Sequence, residues 1–189
     1  MSKTITKVIA GIGIVAGLGL AALPLSSYAA DVAVSFTIKP TLAAAPTICA
    51  SASATAVNAN TVATVDCTVK YSANGGASVS IKDKDSTLTL TSGANTISAI
   101  TTNPASLTAG TEGWGYKFAA TTPGAGTGGL TAVASTYSGI TASAVTVGSN
   151  TAPVTDALGT FTFAAATALT TPAGTYSDTV TIEVTPASS

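Results

Sequence analysis

Apolar and polar residues alternate with period two along much of this chain, and the clearest runs predict half-buried β-strands. Val32, Val34, Phe36 and Ile38 share one face of the segment that starts at Asp31. Val65, Cys67, Val69 and Tyr71 face one way, with Asp66, Thr68 and Lys70 opposite. Val79 and Ile81, the charged tip Lys82-Asp83-Lys84-Asp85-Ser86, and then Leu88 and Leu90 read as two arms of a hairpin. Trp114, Tyr116 and Phe118 alternate with Gly115 and Lys117; Val145 with Val147, and Phe161 with Phe163, add shorter runs. A turn at Pro172-Ala173-Gly174-Thr175 leads into Tyr176, Val180, Ile182 and Val184, which alternate with Thr179, Thr181, Glu183 and Thr185. Asp178 falls on the apolar side of this last run, at its entrance, where it is expected to reach solvent. Segments 72–77 and 119–129 read as Gly-rich loops. Strands of this kind, broken by frequent Gly, Pro and Asn, predict an all-β fold with a single antiparallel β-sandwich.

The first thirty residues follow a different rule. Lys3 and Lys7 precede an apolar stretch from Val8 to Leu25, and Ser27-Tyr28-Ala29 supplies small residues three apart. That is the layout of a secretory signal peptide, expected to form an N-terminal signal helix. Cleavage after Ala29 leaves small residues at both key positions, whereas cleavage after Ala30 would put Tyr28 in one of them. The expected organisation is therefore a signal peptide over 1–29 and one β-sandwich surface domain over 30–189. Gly11, Gly13, Gly17, Gly19 and Pro24 weaken the alternative of a retained membrane helix. Contact with a membrane is expected only through the signal segment before cleavage.

Charge narrows the function classes. Charged residues are 8% of the chain, and every basic residue is Lys. Lys39, Lys70, Lys82, Lys84 and Lys117 stand against eight acids after Ala29. Nucleic acid is not an expected partner, because phosphate binding needs a concentrated basic footprint. The chain has no His, which removes Ser-His-Asp and Cys-His catalysis and His-bound zinc. Carboxylate pairs and a Ser-Lys dyad stay conceivable, yet the expectation is a protein that is not an enzyme, with no catalytic residues, cofactor or metal.

Individual motifs agree with that expectation. Asp83-Lys84-Asp85-Ser86 has the oxygen spacing of part of a calcium loop, but lacks the central Gly and terminal Glu. Trp114-Gly115-Tyr116 could form an aromatic platform for sugar; a single Trp is more commonly a core residue. Lys39, Lys70 and Lys117, in strand-like segments, leave an isopeptide crosslink open without selecting one. Cys49 and Cys67 are the only cysteines, and in an exported protein such a pair is expected to form a structural disulfide.

The run Val79-Ser80-Ile81-Lys82-Asp83-Lys84-Asp85, the segment Leu90 to Ile97, Gly113-Trp114-Gly115-Tyr116, and Pro172 to Ile182 resemble small exported bacterial surface proteins of the WxL-like and Saccharibacteria-type β-sandwich group. The same ending and the early Cys pair are also similar to spore-coat-U and chaperone-usher pilin domains. The resemblance implies an immunoglobulin-like or pilin-like sandwich at the cell surface with a structural or adhesive role. Trp114 is followed by Gly115 and Tyr116, not by a Leu two positions on, so WxL-type peptidoglycan binding is not implied. The expected function is an exported, non-enzymatic structural or adhesion protein, with Val32, Val34, Phe36 and Ile38 as a candidate assembly strand that either docks on its own sandwich or adds to a neighbouring copy to form filaments. Its partners would be other surface proteins or copies of itself. The alternative is a carbohydrate- or cell-wall-binding module that engages wall glycan.

Overall fold

A computed structural model describes residues 41–54, 59–101, 105–122, 131–132 and 136–187. These lie in one compact unit, Thr37–Ser189. The expected signal segment, the candidate assembly strand Val32–Ile38 and Lys39 fall outside the described residues.

The described chain is all-β and its named strands pair antiparallel. It contains β1 (Thr47–Ile48), β2 (Val62–Ala73), β3 (Ala77–Asp83), β4 (Thr89–Ser92), β5 (Asn95–Ser98), β6 (Gly113–Thr122), β7 (Thr131–Ala132), β8 (Val145–Asn150), β9 (Val154–Ala166) and β10 (Val180–Pro186). One four-stranded sheet has the order β1-β2-β9-β6, a second has β10-β3-β8-β7, and β4-β5 form a separate ribbon. Both larger sheets feed one buried cluster. Cys67, Val69 and Tyr71 come from β2, Val79 and Ile81 from β3, Tyr116 and Phe118 from β6, Phe161 from β9 and Val184 from β10. The ring of Phe161 lies 4.6 Å from that of Phe118 and 5.9 Å from those of Tyr116 and Phe163. Such offset aromatic contacts supply much of the core's buried area.

The alternation sets the face of each long strand as expected. Along β2, Cys67, Val69 and Tyr71 are buried, while Asp66, Thr68 and Lys70 are exposed. Trp114 is also buried, and its indole N–H donates to the Leu88 carbonyl at 3.3 Å.

Three expectations are corrected. Val79–Ile81 and Leu88–Leu90 do not form a hairpin: β3 pairs with β10 on one side and β8 on the other, and β4 pairs with β5. With both edges of β3 occupied, the charged tip becomes a corner that passes the chain to another sheet. Asp83 holds that corner, accepting from the backbone N–H of Asp85 at 3.1 Å and of Leu88 at 2.6 Å. The second bond steadies Leu88 at φ 59°, a conformation that costs a branched side chain energy. Tyr176 is not part of the last strand, which begins at Val180; Ser177 instead bridges to Thr91. The loops are also shorter than expected, since β2 runs to Ala73 and β6 to Thr122.

Glycine explains how β6 is covered. A Cβ on Gly115 would lie 2.5 Å from the Ser138 carbonyl oxygen and 3.3 Å from Ile100 Cδ1. One on Gly113 would lie 3.0 Å from Ile100 Cγ2 and 3.4 Å from Leu107 Cδ2. These glycines let the chain around 100, 107 and 138 press onto one face and one edge of β6. Tyr116 and Ser138 exchange backbone hydrogen bonds at 2.8 and 2.7 Å, and the Trp114 carbonyl accepts from Ile100 at 3.0 Å.

Candidate functional site

The disulfide forms between Cys49 and Cys67, with Cα atoms 5.4 Å apart. It fastens a strap, residues 41–49, along the outer edge of β2. Leu42 bridges Ala73, and the N–H of Ala43 donates to the Ser72 carbonyl at 2.9 Å. Thr47 and Ile48 oppose Lys70 and Val69, and the N–H of Cys49 donates to the Thr68 carbonyl at 3.2 Å. The strap therefore covers Thr68 to Ala73 and stops at the disulfide. Among the described residues no strand lies beside the outer edge of Val62 to Asp66. Because the even-numbered backbone groups of β2 point toward the strap, those of Val62, Thr64 and Asp66 point to this open stretch.

The outer edge of β10 is open along its whole length among the described residues. The Lys84 N–H donates to the Thr179 carbonyl, so odd-numbered groups face β3 and the even-numbered ones face outward. Val180, Ile182 and Val184 thus offer N–H and C=O groups, while Pro186 offers a carbonyl only. The same three residues turn their side chains toward the core, where Val184 is buried and Val180 and Ile182 are half-buried. Leu42, Ile48 and Cys49 on the strap are likewise only partly buried against the core.

Carboxylates gather at the corner after β3. Oxygens of Asp83, Asp85 and Asp178 lie within 4.8 Å of one another. Asp83 is buried, and its two oxygens accept the backbone bonds already described. Asp85, fully exposed, accepts from the Thr87 backbone and hydroxyl, which lower its pKa. Asp178 accepts from the Thr179 N–H at 2.6 Å through Oδ1, while Oδ2 is buried without a partner. Burial raises the Asp178 pKa, and repulsion from Asp83 and Asp85 adds to the rise. Backbone N–H donors already occupy both oxygens of Asp83 and one oxygen of Asp178. The cluster acts as a corner clamp. Sequence pattern placed Asp178 at a solvated strand entrance and missed this approach, which depends on Ser177 pairing with β4.

The remaining candidates are separated by the fold. Trp114, Tyr71 and Tyr116 are buried, so they form no exposed sugar platform. Lys70 pairs with Asp156 at 3.2 Å in an exposed position, and Lys117 lies 5.3 Å from the centre of the Tyr137 ring. A cleft of about 150 Å³ between β6 and β8 is smaller than ordinary ligand pockets of about 300–1,000 Å³. Among the described residues, no helix is long and apolar enough to cross a membrane. Comparison with known protein families, characterised proteins and solved structures finds no match.

Proposed function

We propose that this protein is an exported, non-enzymatic structural or adhesion subunit of the cell surface, built as an antiparallel β-sandwich that assembles by strand addition. The outer edge of β10 carries this reading. It is seven residues long, and its outward backbone groups belong to residues whose side chains already face the core. An incoming strand with alternating apolar residues would extend the sheet and its inner face together. In the sandwich reading, β6 lies against β7 and β8, which leaves β1 and β10 along the opposite side. The half-buried Leu42, Ile48, Val180 and Ile182 then border one apolar seam. Val32, Val34, Phe36 and Ile38 have the alternation to close it, and burying each larger side chain contributes about 1.5–3 kcal/mol. The contact joins two different surfaces, so repetition gives head-to-tail chains.

Removal of residues 31–39 from the mature protein tests the reading. The parent should form chains whose length grows with concentration. The truncated protein should stay folded, become monomeric and bind a synthetic 31–39 peptide. A parent that is monomeric both at high concentration and on its native cell surface overturns it.

A further inference from the structure

We propose that the Cys49–Cys67 disulfide is a redox latch over a second interface, in which β2 of one copy pairs antiparallel with β2 of another. The strap seals the half of the β2 edge that holds Lys70 and, among the described residues, leaves bare the half that holds Asp66. Four features of β2 support self-pairing once the strap is released. Its outward backbone groups are the even-numbered ones throughout, so an antiparallel register centred on Thr68 puts donor and acceptor pairs in phase. That register opposes Thr68 with Thr68 and Thr64 with Ser72. It also sets Asp66 of each copy against Lys70 of the other, so one two-fold axis creates two opposite-charge pairs. Asp66 and Lys70 are both exposed on the same face of β2; Asp66 accepts from the hydroxyl of the half-buried Thr162, and Lys70 meets the exposed Asp156.

Apart from the disulfide, the strap is held by the backbone bonds of Ala43 and Cys49 and by Thr41, which exchanges hydrogen bonds with Asn74. β1 is two residues long, and Leu42 and Ile48 are only partly buried. Covering an edge with a short segment is a known guard against edge-to-edge association. Here the disulfide at the end of the cover is the one covalent tie, and the one a reductant removes. An external dithiol opens it by thiolate attack on one sulfur, giving a mixed disulfide. The second thiol of the reductant then displaces that sulfur. The reductant leaves as a disulfide, and Cys49 and Cys67 leave as thiols with two protons taken up.

This interface is independent of strand addition at β10, and its stoichiometry separates the two. The β2 pairing is self-complementary and closes at two copies, whereas addition at β10 does not close. The experiment is sedimentation of the mature protein, diluted until its oxidised form is monomeric, with and without dithiothreitol, with near-ultraviolet circular dichroism of Trp114 reporting the core. Reduction should double the mass of the sedimenting unit while the Trp114 signal persists. A Cys49→Ser, Cys67→Ser variant should dimerise without reductant. Under reduction, Asp66→Lys and Lys70→Asp should each weaken the dimer at least tenfold, and the double swap should restore it. A reduced protein that stays at its oxidised mass, or loses the Trp114 signal, overturns the proposal. So does a dimer insensitive to the charge swaps, or one equally populated when oxidised.

Discussion

Adding one methyl group at position 115 tests how closely the chain at Ser138 must approach β6. The intruded atom is a backbone carbonyl oxygen at 2.5 Å, which cannot swing aside as a side chain would. Gly115→Ala should cost about 1–3 kcal/mol, read as a lower midpoint in denaturant unfolding. Asn150 makes a second close-range test. Its Oδ1 accepts from the Tyr71 hydroxyl at 2.7 Å and the Ala77 N–H at 3.1 Å, and its Nδ2 donates to the Ala152 carbonyl. Asn150→Leu would strand two buried donors at about 1–3 kcal/mol each, whereas Tyr71→Phe should cost about 1 kcal/mol. Burial pushes the Tyr71 phenol up to about 12. Spectroscopic titration should therefore show it ionising well above the ordinary phenol value of 10.0. Neither Gly115 nor Asn150 was legible as special in the sequence. Period-two patterning records which face a side chain takes, but not what presses against a missing one.

Asp178 predicts the sign of a pH dependence. Its pKa is raised in the folded protein, so the folded state binds that proton more tightly than the unfolded chain. Its contribution is present below the unfolded value of 3.8 and is lost as pH rises through the raised folded value. Asp85 has the opposite sign, because its lowered pKa makes it lose stability as pH falls below 3.8. Asp178→Asn should therefore raise the neutral-pH melting temperature and remove the gain that the parent shows on acidification above pH 3.8. An unchanged pH profile in the variant would refute this account of the corner.

Among the elements, the disulfide has the most direct energetic test. Closing a loop between residues 18 apart is worth on the order of 3 kcal/mol in the chain-entropy account. Cys49→Ala with Cys67→Ala should lose about that much in chemical denaturation, and alkylation of the folded parent without reductant should add no label. The burial pattern of β2 and the apolar face of β10 were legible because half-buried strands impose strict alternation. β9 was legible only at Phe161 and Phe163, although it spans Val154–Ala166. Its Ala157, Ala164 and Ala166 are buried, but alanine carries little contrast between faces. Ala164 and Ala166 oppose Gly115 and Gly113 in register, where only small side chains leave room for the covering segment. The mistaken hairpin at Lys82–Ser86 has a different cause. Local polarity marks a bend, whereas the partner of each arm is decided by strands that arrive from far along the chain.

At the scale of the whole molecule, the absence of His and the small cleft between β6 and β8 bear on chemistry. We expect no hydrolytic turnover on peptides, esters or glycans. Asp83 and Asp85 give the sharpest check, since glycosidases work through two carboxyl groups. Reproducible cleavage abolished by Asp83→Asn or Asp85→Asn would reverse the expectation. The fold class was legible because an all-β chain repeats the same local signal at every strand. The edges left open among the described residues were not, because an edge is defined by what fails to lie beside it, and no residue encodes that alone.

The order of strands in the two sheets also dictates when this protein can exist. β9 holds β2 and β6 together, and Thr61 meets Thr167 across 106 positions of sequence. β10, later still, flanks β3. A chain emerging from its N-terminal end therefore has neither four-stranded sheet complete until its last quarter has appeared. Closing such long loops costs entropy before any contact repays it, which places refolding in the milliseconds-to-seconds range. A fragment ending at Pro153 should show no cooperative unfolding transition, while the whole mature chain should show one. Slow, late closure leaves the polypeptide threadable through a narrow channel for nearly the full time of its synthesis.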